Sequence, residues 1–490
     1  MTSSSSLKDK TVKGISWSAI DSFASQGISF VVGIVLARLL SPEEFGTIGV
    51  AMIFVALFNK IVNCGFSSAL IRKTDVKNID YNTTFIFNLF ISAFLYAICF
   101  LIAQYIAIFF HNDALTQVVR WISLVLIINA FTIVQSTRLI KRIDFKTQAK
   151  ISVTASILSG VIGITMAYCG CGVWSLVGQQ LSRQLCNTVL LWIYNKWVPK
   201  LEFSRASFRE LFSYGGKLML SGIIDTLCNE LTVIVVGRLY SSATLGQYSR
   251  AKQFSSIFSS NLSTIMSRVT YPVLSEMRND EERLMANYRT LIKSLMLVTG
   301  LGTVIIASCA KPIILILIGS KWTEAILYLQ LLAFVEITIP LKNVNLNILQ
   351  VYGRSDYILT LSIIKRVIEF GAVCLGFISL PWMLVGFAVA GVIGFLLNAF
   401  FTMKVSGYTV WRQIRDLLPP LTICIIVGVS MFAITFLVNN IYFCLLLQLL
   451  VGSIVFFTLS EFFKFEEYKF VKNLVNDYFT RPFKRLIHHE

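Results

Sequence analysis

Residues 86–110 read IFNLFISAFLYAICFLIAQYIAIFF, an unbroken run without a charge. A helix rises about 1.5 Å per residue and a bilayer core is about 30 Å thick, so roughly 20 apolar residues make one crossing. Residues 421–438 and 441–459 meet the same condition, again without a charged side chain. A helix on a soluble core would show a polar face every 3.6 residues, and these do not. Stretches of this kind recur almost from end to end, about fourteen times by the length criterion. The chain reads as an all-α, polytopic membrane protein.

Composition agrees. Of 490 residues, 56% are hydrophobic and only 14% charged, against about 25% charged in ordinary soluble domains. The net charge of +17 raises the question of nucleic acid, but its placement answers it. Most basic residues sit in short segments between apolar runs, which is how a membrane protein records its orientation.

The sequence predicts crossings near 14–37, 45–69, 83–110, 116–137, 150–169, 173–194, 214–237, 246–271, 291–316, 323–349, 357–379, 382–403, 419–438 and 441–460. With residues 1–13 in the cytoplasm, Arg72, Lys73, Lys77, Arg138, Lys141, Arg142, Lys196, Lys200, Arg278 and Arg283 all fall inside. Outside fall Arg38, Arg120, Arg238, Lys311 and Lys321. The reverse orientation would violate the positive-inside rule at nearly every loop. Both termini are therefore expected in the cytoplasm, with no cleaved signal. External turns are short, and Trp121, Trp174, Trp322 and Trp382 lie near them as an outer aromatic belt. Trp192, Trp197 and Trp411 fall near inner ends. The tail 461–490 alternates charge and aromatics and reads as an amphipathic helix against the inner surface.

Metal and thiol chemistry find little support. Nearly all ten cysteines lie in apolar runs as small hydrophobes. Cys169 and Cys171 form a C-G-C at a helix end, without a second pair for zinc. His111, His488 and His489 are not placed for catalysis.

An internal repeat organises the chain. Residues 37–54 read ARLLSPEEFGTIGVAMIF and residues 237–254 read GRLYSSATLGQYSRAKQF. Arg38/Arg238, Leu39/Leu239, Ser41/Ser241, Gly46/Gly246, Ala51/Ala251 and Phe54/Phe254 coincide. Upstream, Ile20-Asp21 and Gly33 are echoed by Ile224-Asp225 and Gly237. The copies fall at crossings 1–2 and 7–8. Six crossings per unit means both enter the membrane in the same sense, an arrangement common in transporters. This predicts an N-lobe over 14–195, a cytoplasmic linker over 196–213 and a C-lobe over 214–403. Two extra helices over 419–460 follow, and the substrate path lies between the lobes.

Charges inside apolar segments cost about 2.5–3.5 kcal/mol each at a helix centre and must face a cavity or a partner. The bases are Lys60, Arg183, Arg250, Lys252, Lys342, Lys365 and Arg366, and the acids are Asp21, Asp225, Glu230, Glu336 and Glu369. Asp21 and Lys60 match in depth, as do Glu230 and Lys252, and Lys365 and Glu369 are spaced i,i+4. Each such pair reads equally as a neutralising clamp between helices or as part of a cavity. Arg183, Arg250 and Arg366 lack a depth-matched partner and read as lining a wet cavity that attracts an anion. Seven bases against five acids suit phosphate, whose oxygens match guanidinium forks and ammonium charges.

Taken with these motifs, the chain resembles the Wzx-like polysaccharide transporter family. This family sits within the multidrug, oligosaccharidyl-lipid and polysaccharide exporter superfamily. The resemblance rests on ARLLSPEEFG with Gly65–Lys73, RLIKRIDFKTQAKI (138–151) and WVPKLEFS (197–204). It rests also on LFSYGGKLMLSGIID (211–225), LGQYSRA (245–251), YPVLSEM (271–277) and IGSKWTEA (318–325). It implies a fourteen-helix fold with two six-helix lobes around a central cavity. It implies flipping of a polyprenyl-pyrophosphate-linked oligosaccharide across a bacterial inner membrane, with no cofactor. Implied partners are the lipid-linked oligosaccharide, membrane lipids and polysaccharide assembly enzymes, not nucleic acid. Related lipid flippases place a cavity arginine in helix 1, whereas helix 1 here carries Asp21 and no base. Lys60, Arg250 and Lys252 are the nearest replacements. Members driven by H+ or Na+ carry a helix-1 acid, the place Asp21 holds.

Two rivals remain in view. A drug/cation antiporter of the same superfamily predicts a cavity dominated by acids. A membrane glycosyltransferase, ligase or polymerase needs a sizeable catalytic portion outside the membrane, which these short loops do not offer. The expectation is a transporter, not an enzyme. Arg183, Arg250, Lys252, Lys60, Lys365 and Arg366 are expected to hold the headgroup, and Asp21, Asp225, Glu230, Glu336 and Glu369 to serve ion coupling or charge pairing.

Overall fold

The computed structural model describes residues 2–278 and 280–462, and all regular structure among them is helical. Eleven segments among the described residues are long and apolar enough to cross a bilayer. Three more helices, Trp174–Asn195, Ser242–Glu276 and Ser355–Cys374, stand at predicted crossings six, eight and eleven and are long enough, but more polar. The amphipathic helix predicted for 461–490 lies outside the described residues from 463 onward. The chain divides into two compact units, Met1–Gly246 and Gln247–Glu490.

The first unit holds α1 (Thr2–Leu39), α2 (Pro42–Asn63), α3 (Phe66–Arg72), α4 (Asn78–Phe110) and α5 (Ala114–Ile122). It continues with α6 (Leu124–Lys141), α7 (Phe145–Tyr168), α8 (Trp174–Asn195), α9 (Arg205–Leu239) and the start of α10 (Ser242–Glu276). Helix α7 lies between α1 and α8, and α6 touches both α4 and α8. Val62, Leu126 and Ala130, all fully buried, centre the α2–α4–α6 core. Outward-facing Phe90, Leu101 and Tyr105 remain exposed, which lipid tolerates because hydrocarbon is as apolar as they are.

Both copies of the repeat fold alike. The Ser41 hydroxyl accepts from Glu44 N–H at 3.3 Å while the Glu44 carboxylate accepts from Ser41 N–H at 2.6 Å, a capping box with Pro42 in the first turn. Two hundred positions on, the Ser241 hydroxyl accepts from Thr244 N–H at 3.1 Å. The two turns meet. A Cβ at Gly46 would run into the Ser242 carbonyl oxygen, and one at Gly246 into the Pro42 carbonyl oxygen. The Asn112 side chain ties this crossing from the α4–α5 turn, donating to Thr47 at 2.9 Å and to Ser242 at 3.0 Å.

Residues 196–204, within the predicted linker, hold no helix and are strapped to α4 and α6. Gln135 donates to the Trp197 carbonyl at 2.9 Å, Asn82 accepts from Lys200 N–H at 3.1 Å and Thr83 from Ser204 N–H at 3.0 Å. Lys73 bridges Asp80 at 3.1 Å and Glu210 at 2.9 Å. Burial works against the Lys73 ammonium, but hydrogen bonds to Glu210 and Asp80 outweigh it and raise its pKa.

The second unit holds the rest of α10, then α11 (Glu281–Ser308), α12 (Ala310–Leu317), α13 (Glu324–Glu336) and α14 (Thr338–Val351). It continues with α15 (Ser355–Cys374), α16 (Leu380–Ser406), α17 (Val410–Leu437) and α18 (Ile441–Phe462). Tyr288, Ile292, Val344 and Ile348, all fully buried, join α11 to α14. Helix α17 lies between α11 and α18, with Ile423, Val427 and Met431 packed under Cys309.

Four segments expected as single helices are each two. The segment at 45–69 breaks between α2 and α3, 116–137 between α5 and α6, 291–316 between α11 and α12, and 323–349 between α13 and α14. The first break is the sharpest: Cys64 and Gly65 are both left-handed, at φ +45° and +66°. Gly215 of α9 fills the space this opens, with its Cα 2.8 Å from where a Gly65 Cβ would sit. Trp121 and Trp174 meet edge to face at 6.5 Å. Trp322, expected at the outer belt, is instead fully buried, in a short 3-10 turn that Gln247 of α10 brackets by donating to the Lys321 carbonyl at 2.8 Å and accepting from Ala325 N–H at 3.1 Å.

Candidate substrate-binding surfaces within the membrane

The second unit gathers most of the predicted charges. At the end of α13, Glu336 accepts a short hydrogen bond from Ser259 of α10. Lys252 and Lys342 are the bases whose charges act on it. Lys342 of α14 and Lys365 of α15 share a surface on α16, each with its Cδ 3.5 Å from where a Cβ on Gly394 would sit. Without a side chain there, two like charges approach one another along α16, and each feels Glu369. Lys252 is exposed, with its ammonium 5.9 Å from the Tyr248 ring centre. Lys252, Lys342, Lys365 and Arg366 thus stand against Glu336 and Glu369, leaving a surplus of positive charge.

The pairing differs from the sequence expectation. Glu369 forms its ion pair with Arg366, one turn away at 3.1 Å, rather than with Lys365. Arg366 is therefore not the unpartnered cation it was expected to be. Spacings i,i+3 and i,i+4 both bring side chains together on a helix, and the longer guanidinium reaches first. Arg250 donates to Gln253 on its own helix at 2.6 Å, two positions from Lys252 and so on a different face of α10.

The first unit is different. Asp21 accepts from Ser25 at 3.1 Å, and Ser25 meets Ser152 of α7 at 2.9 Å. Asp21 and Lys60, matched by depth, form no ion pair among the described residues. Depth fixes height but not the direction a side chain leaves the helix. The carboxylate of Asp21 acts instead on Arg183 of α8. Lys60 is exposed in the last turn of α2, with its stem 3.7 Å from where a Cβ on Gly222 of α9 would sit. Asp225 lies exposed one turn further along α9, and Glu230 is half-buried beyond it.

Sequence reading missed the neutral polar residues between these charges. Asn129 of α6 donates to Asn59 of α2 at 2.7 Å, and Gln184 of α8 donates to Asn129 at 3.0 Å. Gln184 also reaches Thr132 at 3.4 Å, and Thr132 meets Thr188 at 2.6 Å. The available signal was the run QQLSRQLCNT at 179–188, which is too polar for a helix in plain lipid.

An all-helical polytopic bundle with charged side chains inside its apolar helices is an architecture that membrane transporters use. Residues 35–327 match the family described as polysaccharide biosynthesis protein. The chain belongs to that family. It is 28% identical over 378 residues to the succinoglycan biosynthesis transport protein ExoT of Rhizobium meliloti (strain 1021), covering 76% of this chain and 75% of the relative. It is 24% identical over 402 residues to the lipopolysaccharide biosynthesis protein WzxC of Escherichia coli (strain K12), covering 80% and 78%. Among solved structures, the lipid II flippase MurJ in an inward closed conformation shares the fold. Its TM-score is 0.70 at 16% identity, over 91% of this chain and 98% of that one.

Proposed function

We propose that the protein flips a polyprenyl-pyrophosphate-linked oligosaccharide from the inner to the outer leaflet of a bacterial cytoplasmic membrane. Fourteen crossings leave both termini in the cytoplasm. One observation carries the reading: the four bases on α10, α14 and α15 against two acids, at membrane depth. Removing that many charges from water is costly unless a counter-charge arrives, and a pyrophosphate brings one. The family and the relatives, themselves named for polysaccharide transport, support the same substrate class. An exporter of organic cations calls for the opposite balance of charge.

The mechanism is alternating access. The cation-lined surface opens to one side and then the other while the lipid tail stays in the bilayer, and a difference in headgroup affinity between the two states biases the exchange. In the second unit Lys252, Lys342, Lys365 and Arg366 hold the headgroup, with Arg250 on the same helix as Lys252; Lys60 and Arg183 are the corresponding candidate bases of the first unit. Asp21 is the candidate for coupling to an H+ or Na+ gradient, and polysaccharide assembly enzymes supply and receive the lipid.

The test is flipping of defined lipid-linked glycans by proteoliposomes, with and without an ion gradient. Alanine at both Arg250 and Lys252 should abolish flipping and leave the purified protein folded. Transport at the unsubstituted rate by that variant removes those two residues from the mechanism, and no flipping of any lipid-linked glycan by the parent protein removes the mechanism itself.

A further inference from the structure

We propose that the ladder Asn59–Asn129–Gln184–Thr132–Thr188 in the first unit is a saccharide-binding subsite that reads hydroxyl groups of a glycan. The proposal rests on the flippase reading and adds a recognition element separate from the cationic cluster.

The ladder spans three helices, α2, α6 and α8, through hydrogen bonds of 2.7, 3.0, 3.4 and 2.6 Å. Its amides are not closed off. Asn59, Asn129 and Gln184 are all half-buried. The Asn59 amide nitrogen and the Gln184 carbonyl oxygen have no protein partner among the described residues, yet neither is sealed from solvent. One end of the ladder therefore offers a donor and the other an acceptor.

A purely structural amide in the same unit looks different. Gln135 is fully buried, donates to the Trp197 carbonyl at 2.9 Å and accepts from Asn195 at 2.7 Å. Interhelical clamps in membranes are expected in that closed form. An open ladder at membrane depth has to meet water or a polar cargo, because an unmet donor or acceptor in hydrocarbon is costly.

The cargo's chemistry follows from what the ladder lacks. Its five side chains are neutral, and each amide or hydroxyl both donates and accepts. A sugar hydroxyl also does both, whereas a phosphate only accepts and is served better by cations. Lys60 follows Asn59 on α2 and Arg183 precedes Gln184 on α8, each about 100° around its helix from the ladder residue.

Asn59→Leu and Gln184→Leu test the proposal in proteoliposomes by comparing the glycosylated lipid with bare polyprenyl pyrophosphate. The ratio of the two flipping rates should fall about tenfold, the loss expected when a hydrogen-bonding group for a substrate hydroxyl is removed. Asn59→Gln and Gln184→Asn should restore most of the ratio. Equal loss on both lipids with a lowered melting temperature, or an unchanged ratio, overturns the subsite. A second measurement does not depend on transport. Isothermal titration of the detergent-solubilised full chain with neutral and uronate-containing tetrasaccharides should show binding weakened about tenfold by Gln184→Leu. Absence of such binding across the panel also overturns the subsite. Ladder-dependent binding without any flipping sustains the subsite and sinks the flippase reading alone.

Discussion

The two units handle polarity at membrane depth in opposite ways. The second gathers full charges, with Lys252, Lys342, Lys365 and Arg366 against Glu336 and Glu369. The first spreads neutral amides and hydroxyls across α2, α6 and α8, with Lys60 and Arg183 elsewhere on α2 and α8. A lipid-linked glycan has two such faces itself, an anionic linkage and a neutral, hydroxylated chain. Charge gives affinity that salt screens, and hydrogen bonds give discrimination that salt leaves alone. On the proposed function, the difference between the units matches the mixed chemistry of such a substrate.

Four experiments press on that contrast. The largest effect is expected from Lys342→Ala with Lys365→Ala, which leaves two bases against two acids. Flipping of glycosylated and bare lipid should both fall at least about 100-fold, the scale of losing charge-assisted hydrogen bonds, with helicity by circular dichroism unchanged. Loss on the glycosylated lipid alone would break the contrast.

Gly65→Ala attacks the first unit only. The backbone is left-handed there and faces Gly215 at close range, so a loss of about 2 kcal/mol is expected. A lowered melting temperature with early proteolysis between α2 and α3 would confirm it. Glu369→Gln frees Arg366 from its ion pair and should tighten inorganic pyrophosphate binding severalfold, an effect of about 1 kcal/mol. Binding should weaken at about 0.5 M salt, while tetrasaccharide binding holds steady.

The smallest effect concerns the strap. The raised pKa of Lys73 means its contribution is complete below the ordinary lysine value of about 10.4 and fades as pH rises through the folded value. Melting temperatures of the parent and Lys73→Met should differ by a constant amount below about pH 10.4 and converge as pH rises through the folded value. The difference in unfolding free energy at neutral pH should be below about 1 kcal/mol, because the Glu210 partner is more than half exposed.

Sequence carried the bilayer, the helical class and the repeat, since each depends on composition along one dimension. Ser41 and Ser241 stood out as matched positions of that repeat, and the structure adds that both cap a helix. Side-chain partnerships were not, because they depend on how each helix is rotated about its axis. Asp21 and Lys60 share a height yet do not pair, and Glu369 chose Arg366 over Lys365. The break at Cys64–Gly65 hid inside an apolar run whose hydropathy does not register a left-handed turn. The amide ladder escaped because a search for charge passes over asparagine and glutamine.

The crossing at Gly46 and Gly246 has a consequence for exchange between relatives. Each position is an empty notch filled by main chain from the opposite motif, and main chain has no shorter version to offer. Neither notch can be widened to suit a bulkier counterpart, so no pair of compensating substitutions exists for this joint. Chimaeras that take one motif from this chain and the other from a homologue should assemble freely whenever both notches stay vacant. They should fail whenever either one gains so much as a methyl group.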